Sequence, residues 1–240
     1  MTLGKYAALP LAIVLAFSPV LAGPAPDRAA GMGAEDPIQK VEDAIRVLDE
    51  MMEESDKSIP QGLLRECAGI AIIPDVIRAG FIIGGRHGKG VLLVRTEDGG
   101  WTDPAFIDIK GGSIGWQVGV QSADVVLVFR TPRSVENFNE GKFTLGADAG
   151  IAAGPVGRQA EVSTDSELKA EILSYSRSRG LFVGLTLQGS SIQEDRKANE
   201  SFYGREIDPK DILAGKTSGT PEIAAKLKSK LADLTNLDNP

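Results

Sequence analysis

Between Gly69 and Arg130 the chain is a succession of short runs rich in Ile, Val and Phe, divided by Gly, Pro or Asp. Runs of this length and composition form strands, because β-branched and aromatic side chains fit a pleated, half-buried surface and the punctuating residues break it. The spacing predicts strands at 69–73, 79–86, 90–96, 105–109, 114–121 and 123–130. The segment Thr96-Glu97-Asp98-Gly99-Gly100 reads as a hairpin turn, since glycine tolerates the positive φ that tight turns need. Gly84-Gly85-Arg86-His87-Gly88-Lys89-Gly90 reads as a second tight turn, with Arg86, His87 and Lys89 near its tip. A meander of antiparallel strands follows. The glycine-rich stretch Gly111–Gly119 then reads as a strand that coils or crosses another backbone closely.

Helices are expected on both sides of this block. Asp36 before Pro37 is a helix start, because aspartate caps free amides and proline is pre-set for the first turn. Ile38, Val41, Ile45, Leu48 and Met52 recur at steps of three and four, which predicts a core-facing helix over 37–54. Shorter helices are expected from Pro60 to Cys67 and from Thr131-Pro132 to about Asn139. Further along, the pattern predicts strands at 143–152 and 157–163, a helix over 166–177, a strand at 181–188 and a helix over 194–204. Thr220-Pro221 opens a last helix carrying Ile223, Leu227 and Leu231. The fold class is therefore α+β: a glycine-rich, mostly antiparallel, barrel-like twisted sheet with N-terminal, inserted and C-terminal helices.

At the N-terminus, Lys5 precedes an apolar run from Tyr6 to Phe17 and then Ser18-Pro19-Val20-Leu21-Ala22-Gly23. This is the order of a secretory signal, with cleavage expected after Ala22. The run is too short to span a bilayer, which takes about 20 residues. No cysteine lies nearby to carry an acyl anchor. The expected organisation is a signal peptide at 1–22, a flexible leader at 23–35, a domain at 36–215, and a linker and helix at 216–240. A periplasmic or secreted location follows.

Charge and chemistry exclude several functions. The net charge is −7, one unit more negative without Lys5, so nucleic acid is not an expected partner. Cys67 is the only cysteine and His87 the only histidine, which leaves no disulfide, no multi-cysteine metal site and a single candidate base. A phosphate loop would need glycine at Ile83 and a hydroxyl at Gly90, and no serine stands in a G-x-S-x-G elbow. The acids show no calcium-loop spacing. The chain reads as a non-enzyme without a cofactor, and Cys67, flanked by Leu63, Leu64 and Ile70, as a buried thiol.

The order of motifs resembles a known family. Cys67-Ala68-Gly69-Ile70-Ala71-Ile72-Ile73-Pro74, Ala79-Gly80-Phe81 with Gly84-Gly85, and Gly88-Lys89-Gly90-Val91-Leu92 are similar to the SYLF domain of endocytic SH3 proteins. The similarity continues through Trp101-Thr102-Asp103-Pro104-Ala105-Phe106, Gly115-Trp116-Gln117-Val118-Gly119 and Tyr175–Phe182, and ends on Ala198-Asn199 and Phe202-Tyr203-Gly204. It implies a non-enzymatic module associated with membrane lipid, with phosphoinositides bound by eukaryotic members and actin filaments by fungal ones. With its signal sequence, the chain resembles an exported, bacterial-type member, for which actin and phosphoinositides are not the expected ligands.

One stretch runs against lipid binding by an N-terminal helix. Asp36, Glu42, Asp43, Asp49, Glu50, Glu53, Glu54 and Asp56 face only Lys40 and Arg46, whereas a helix lying on anionic lipid needs a basic polar face. This helix is expected to pack on the sheet. The candidate lipid- or anion-binding residues are Arg78, Arg86, Lys89 and Lys110, which would form one basic rim if the strands pair as hairpins. The expected partner is phospholipid or an envelope surface, held peripherally. The alternative is a structural module that offers a groove to another envelope protein, with no lipid ligand.

Overall fold

The computed structural model describes residues 36–53, 58–136, 138, 142–156, 170–178, 180–182, 185 and 187–235. The signal and leader segments and the strand expected at 157–163 lie outside them. Helix α1 spans Pro37–Met52, capped by Asp36, whose carboxylate accepts the Ile38 N–H at 2.9 Å. Val41, Ala44, Val47, Leu48 and Met51 are its buried residues, while Ile38 at the head of the expected stripe is 44% exposed. Helix α2 spans Gln61–Glu66.

The six short strands expected over 69–130 are two long ones. Strand β1 runs Gly69–Val94 and β2 runs Ala105–Phe129, antiparallel along almost their whole length from Gly69↔Phe129 to Leu92↔Ala105. They are joined by the expected turn, closed by the Arg95↔Trp101 bridge. The glycines read as a turn, Gly84–Gly90, lie within β1 opposite Ile107–Ser113. Pro74 and Asp75 interrupt the ladder as a bulge instead of ending a strand. Asp75 sits at φ 52°, its N–H donating to Asp124 Oδ1 at 3.0 Å and its carboxylate accepting the Ser122 hydroxyl at 3.2 Å.

Helix α3 is Pro132–Glu136, and strands β3 (Lys142–Thr144) and β4 (Ile151–Ala153) replace the single strand expected at 143–152. The later part of the helix expected over 166–177 is instead strand β5 (Ile172–Ser178), paired antiparallel to β2 and parallel to β4. Of the strand expected at 181–188, the described residues Leu181–Phe182 form β6, which pairs with β5, and 183, 184 and 186 lie outside the described residues. Strand β7 is Ser191–Glu194, followed by α4 (Arg196–Tyr203), α5 (Pro209–Leu213) and α6 (Glu222–Thr235).

These strands make one seven-stranded sheet. The path β3-β7-β2-β5-β4 lies on one side of β2, and β1 pairs along the other. The sheet curls into a half-barrel flanked by helices, as the glycine content led us to expect. Its closure is visible where the ends of β1 meet: the Arg95 N–H donates to Ala68 O at 2.8 Å. Gly90 is where one backbone passes over another, since a Cβ there would lie 2.1 Å from Ile72 O. Gly88 likewise leaves room for Ile73 and Val76.

Alternate residues divide between two cores. On the concave side Ile73, Leu92, Ile109, Leu127 and Phe129 pack with Phe138, Phe143 and Ile192. On the convex side Ile70, Ile72, Val91, Leu93, Phe106 and Val126 pack beneath α1, α4 and α6. Helix α6, expected to follow a linker, buries Ala224, Leu227 and Leu231 in this second core. Its approach is fixed by buried Asp103, which accepts hydrogen bonds from Thr217 and Thr220 and pairs with Lys228 at 2.6 Å.

Candidate functional site

The register of four strands builds a polar ledge on the convex face, where the helices stop. Lys142 pairs with Gln193, Gln193 with Asp108, and Asp108 with Lys89. Two residues along, Thr144 pairs with Ser191, Ser191 with Lys110, and Lys110 with His87. The row between them, Phe143, Ile192, Ile109 and Gly88, is buried and faces the concave core. Period-two alternation thus puts an apolar row inward and two polar rows outward. Beside the ledge the face is covered, with Phe106 packed on Phe202 of α4 at a centroid distance of 5.0 Å.

Lys89 and Lys110 stand on this ledge, each tied to an acid. Lys89 Nζ lies 3.0 Å from Asp195, the capping residue of α4, and Lys110 Nζ lies 2.6 Å from Asp108. Arg86 points the other way and is buried. It donates to Ser190 Oγ at 3.1 Å and to Gly112 O at 3.3 Å. Burial, and then the positive charge of Arg78, lower its guanidinium from the ordinary pKa. Arg78 is half-buried, opposite Gln121. The four candidates therefore share one strand pair but divide between two of its faces. Sequence reasoning missed Lys142, Gln193, Asp108 and Asp195, which complete the ledge. Only the Asp195 capping position before α4 carried a local signal.

Between the ledge and the start of α4 lies an open cleft of about 410 Å³, lined by Asp108, Lys142, Gln193, Glu194, Asp195, Arg196 and Lys197. His87 is exposed, and Cys67 is buried as expected, donating its thiol hydrogen to Leu64 O at 3.1 Å. Among the described residues no group of three or more His, Cys, Asp or Glu is placed to hold a metal ion. Among the same residues no helix is long and apolar enough to cross a membrane.

A family model described as Ysc84, Las17-binding protein actin regulator, matches residues 110–234. LAS seventeen-binding protein 3 of Saccharomyces cerevisiae is 38% identical over 172 residues, covering 70% of this chain and 37% of the yeast protein. Protein YSC84 of the same yeast is 37% identical over 191 residues, 77% of this chain and 41% of its own. Human SH3 domain-containing YSC84-like protein 1 is 38% identical over 163 residues, 68% of this chain and 47% of its own. The chain spans less than half the length of these relatives.

These findings correct four expectations. The relatives are proteins of yeast and mammals, described as Las17-binding or SH3 domain-containing, which overturns the bacterial-type, exported assignment and the periplasmic or secreted location. An envelope surface and an envelope protein fall away as partners with it. Actin can no longer be set aside on grounds of compartment, because the matched family is described as an actin regulator. The module is non-enzymatic, in keeping with its relatives. The chain belongs to the Ysc84, or SYLF, family of Las17-binding protein actin regulators.

Proposed function

We propose that this chain is a binding module in actin regulation and that it docks an acidic protein surface, that of actin, on the convex ledge of the half-barrel. The observation that supports this is the uncovered ledge itself. Lys89, Lys110 and Lys142 share one face within two rows of each other, beside Arg196 and Lys197 at the start of α4, where no helix among the described residues covers the sheet. Exposed cations at the rim of an interface set association rate and orientation, and their contribution weakens with salt.

Co-sedimentation of the full chain with filamentous actin tests it. The parent chain pellets with filaments at low salt and less so as salt rises. Lys110→Glu with Lys142→Glu reduces affinity by roughly thirtyfold, given on the order of 1 kcal/mol for each reversed rim charge. Pelleting that ignores both salt and the double reversal refutes the assignment.

A second reading, an anionic lipid surface for the same module, has its own observation. Ile77 and Val120 are 48% and 74% exposed, with Ala79 beside them on the β1–β2 ribbon. Lys89 and Lys110, which share one face, would supply the charge, whereas buried Arg86 cannot. Vesicle flotation with Val120→Glu separates this reading from the first, since only lipid binding depends on that side chain.

A further inference from the structure

The cleft beside the ledge has an acidic floor under a basic rim. The side chains of Asp108, Glu194 and Asp195 are only 12%, 12% and 13% exposed, whereas their partners Lys110, Arg196 and Lys89 are 53%, 83% and 35% exposed. The cations stand out toward solvent and the acids are recessed beneath them. One floor atom is incompletely bonded: Asp108 Oδ2 accepts from Lys110, but Oδ1 is buried with no hydrogen-bond donor. Asp108 as a whole is 9% exposed and lines the cleft. A buried carboxylate oxygen without a donor is costly, and native structures satisfy such atoms.

We infer that this floor receives a basic side chain, arginine in preference to lysine, from the protein that docks on the ledge. A guanidinium carries five donors in a planar fork and can serve acceptors that lie apart, here Asp108 Oδ1 with the carboxylate of Glu194 and the amide oxygen of Gln193. The exposed rim cations Lys110, Lys142 and Lys197 then meet acids that flank the inserted residue. The recognised element is a basic residue between acidic ones on a protein surface. Rim charges govern approach, and the recessed acids govern which residue is accepted. The inference rests on the reading of the ledge as a protein-docking surface.

The test uses the full chain, labelled with nitrogen-15, and the blocked tripeptide acetyl-Glu-Arg-Glu-amide, with citrulline in place of arginine as the neutral control. The arginine peptide should give saturable shifts in the amides of Asp108 and of Gln193 to Lys197. Binding should weaken at least about tenfold with citrulline, or in Asp108→Asn, the loss of one charge-assisted hydrogen bond in a recessed site. Glu194→Gln, which leaves Asp108 in place, should weaken it several-fold. Absent shifts at these amides, or equal shifts with citrulline, overturn the inference. Peptide binding at the cleft without actin co-sedimentation would leave the site standing and remove actin as the partner. Actin co-sedimentation by the parent chain, with no response of that chain to the peptide, would remove the floor site and leave the docking surface.

Discussion

Replacing Gly90 with alanine puts a methyl carbon 2.1 Å from Ile72 O and 2.7 Å from Ile73 Cα. Ordinary contact begins at 3.4 Å, so two backbones must separate by more than an ångström. No side-chain rotamer can absorb this, because both neighbours are main-chain atoms of β1 at the point where the half-barrel closes on itself. Overpacking of a rigid core costs about 1–3 kcal/mol, and a backbone collision belongs at the upper end. Alanine recovers about 0.4–1 kcal/mol through the lower entropy of the unfolded chain, leaving a net loss of about 2–3 kcal/mol. With a urea slope of about 3 kcal/mol/M, the midpoint should fall by roughly 0.7–1 M at unchanged slope. Gly62→Ala is the control. It sits in α2 with nothing within 4 Å of the added carbon. It should raise stability by about 0.5–1 kcal/mol. A Gly90→Ala midpoint equal to the parent's, or shifted in the same direction as Gly62→Ala, would refute the closure of the sheet at this crossing.

Two further predictions concern buried chemistry. Asp103→Ala should cost about 3 kcal/mol by stranding Lys228 and two threonines, read as lost hydrogen-exchange protection across 222–235. Burial alone would raise the Asp103 carboxyl, but Lys228, Thr217 and Thr220 together hold it below the ordinary carboxylate pKa. A depressed folded value means stabilisation that is fully present above the unfolded value, about 3.9, and is lost as pH falls through the folded value beneath it. Protection of α6 should therefore decline with acid in the parent and stay flat in Asp103→Ala; a parallel decline in both would exclude this carboxylate as the cause. Burial, against the opposing charge of Arg95, pushes the Cys67 thiol up to about 11. Iodoacetamide at pH 8 should then alkylate the native chain on the order of 100-fold more slowly than the urea-unfolded chain, since the thiolate is the nucleophile. Equal rates would place this thiol at the surface.

Local signals were legible and long-range ones were not. Asp36 before Pro37 capped a helix as read, because capping involves neighbours in sequence. Thr96–Gly100 turned the chain as read for the same reason. The glycines of β1 misled. They punctuate the sequence as turns do, yet Gly88 and Gly90 exist to let the strand pass its own other half, a contact with residues 73, 76 and 72 that no local pattern encodes. Pro74 and Asp75 likewise read as an end to a strand and are a bulge, held by Asp124 and Ser122 from the far side of the hairpin. Residues 166–177 read as helical on Leu168, Ile172 and Leu173, yet Ile172–Ser178 is strand β5. The segment is a strand flanked by β2 on one side and β4 and β6 on the other, with residues 172–176 all buried. A continuously buried strand loses the alternation by which strands are recognised.

The same distinction governs the site. Arg78, Arg86, Lys89 and Lys110 stood out as positive charge in an acidic chain, which is a local count. The properties of the ledge depend instead on register: Asp108 lies opposite Lys89, and Gln193 and Lys142 extend that row across two more strands. Register also sent Arg86 to the other face, because one residue along a strand reverses the side a residue occupies. An exposed lysine over a recessed aspartate differs from a lysine alone. It can leave its partner at little cost, since such surface pairs contribute about 0–1 kcal/mol, and on leaving it uncovers an acid that the protein cannot move. A surface assembled this way can meet acidic groups at its rim and a basic one at its floor. Its selectivity therefore resides in the paired acids, which a count of cations along the sequence leaves out.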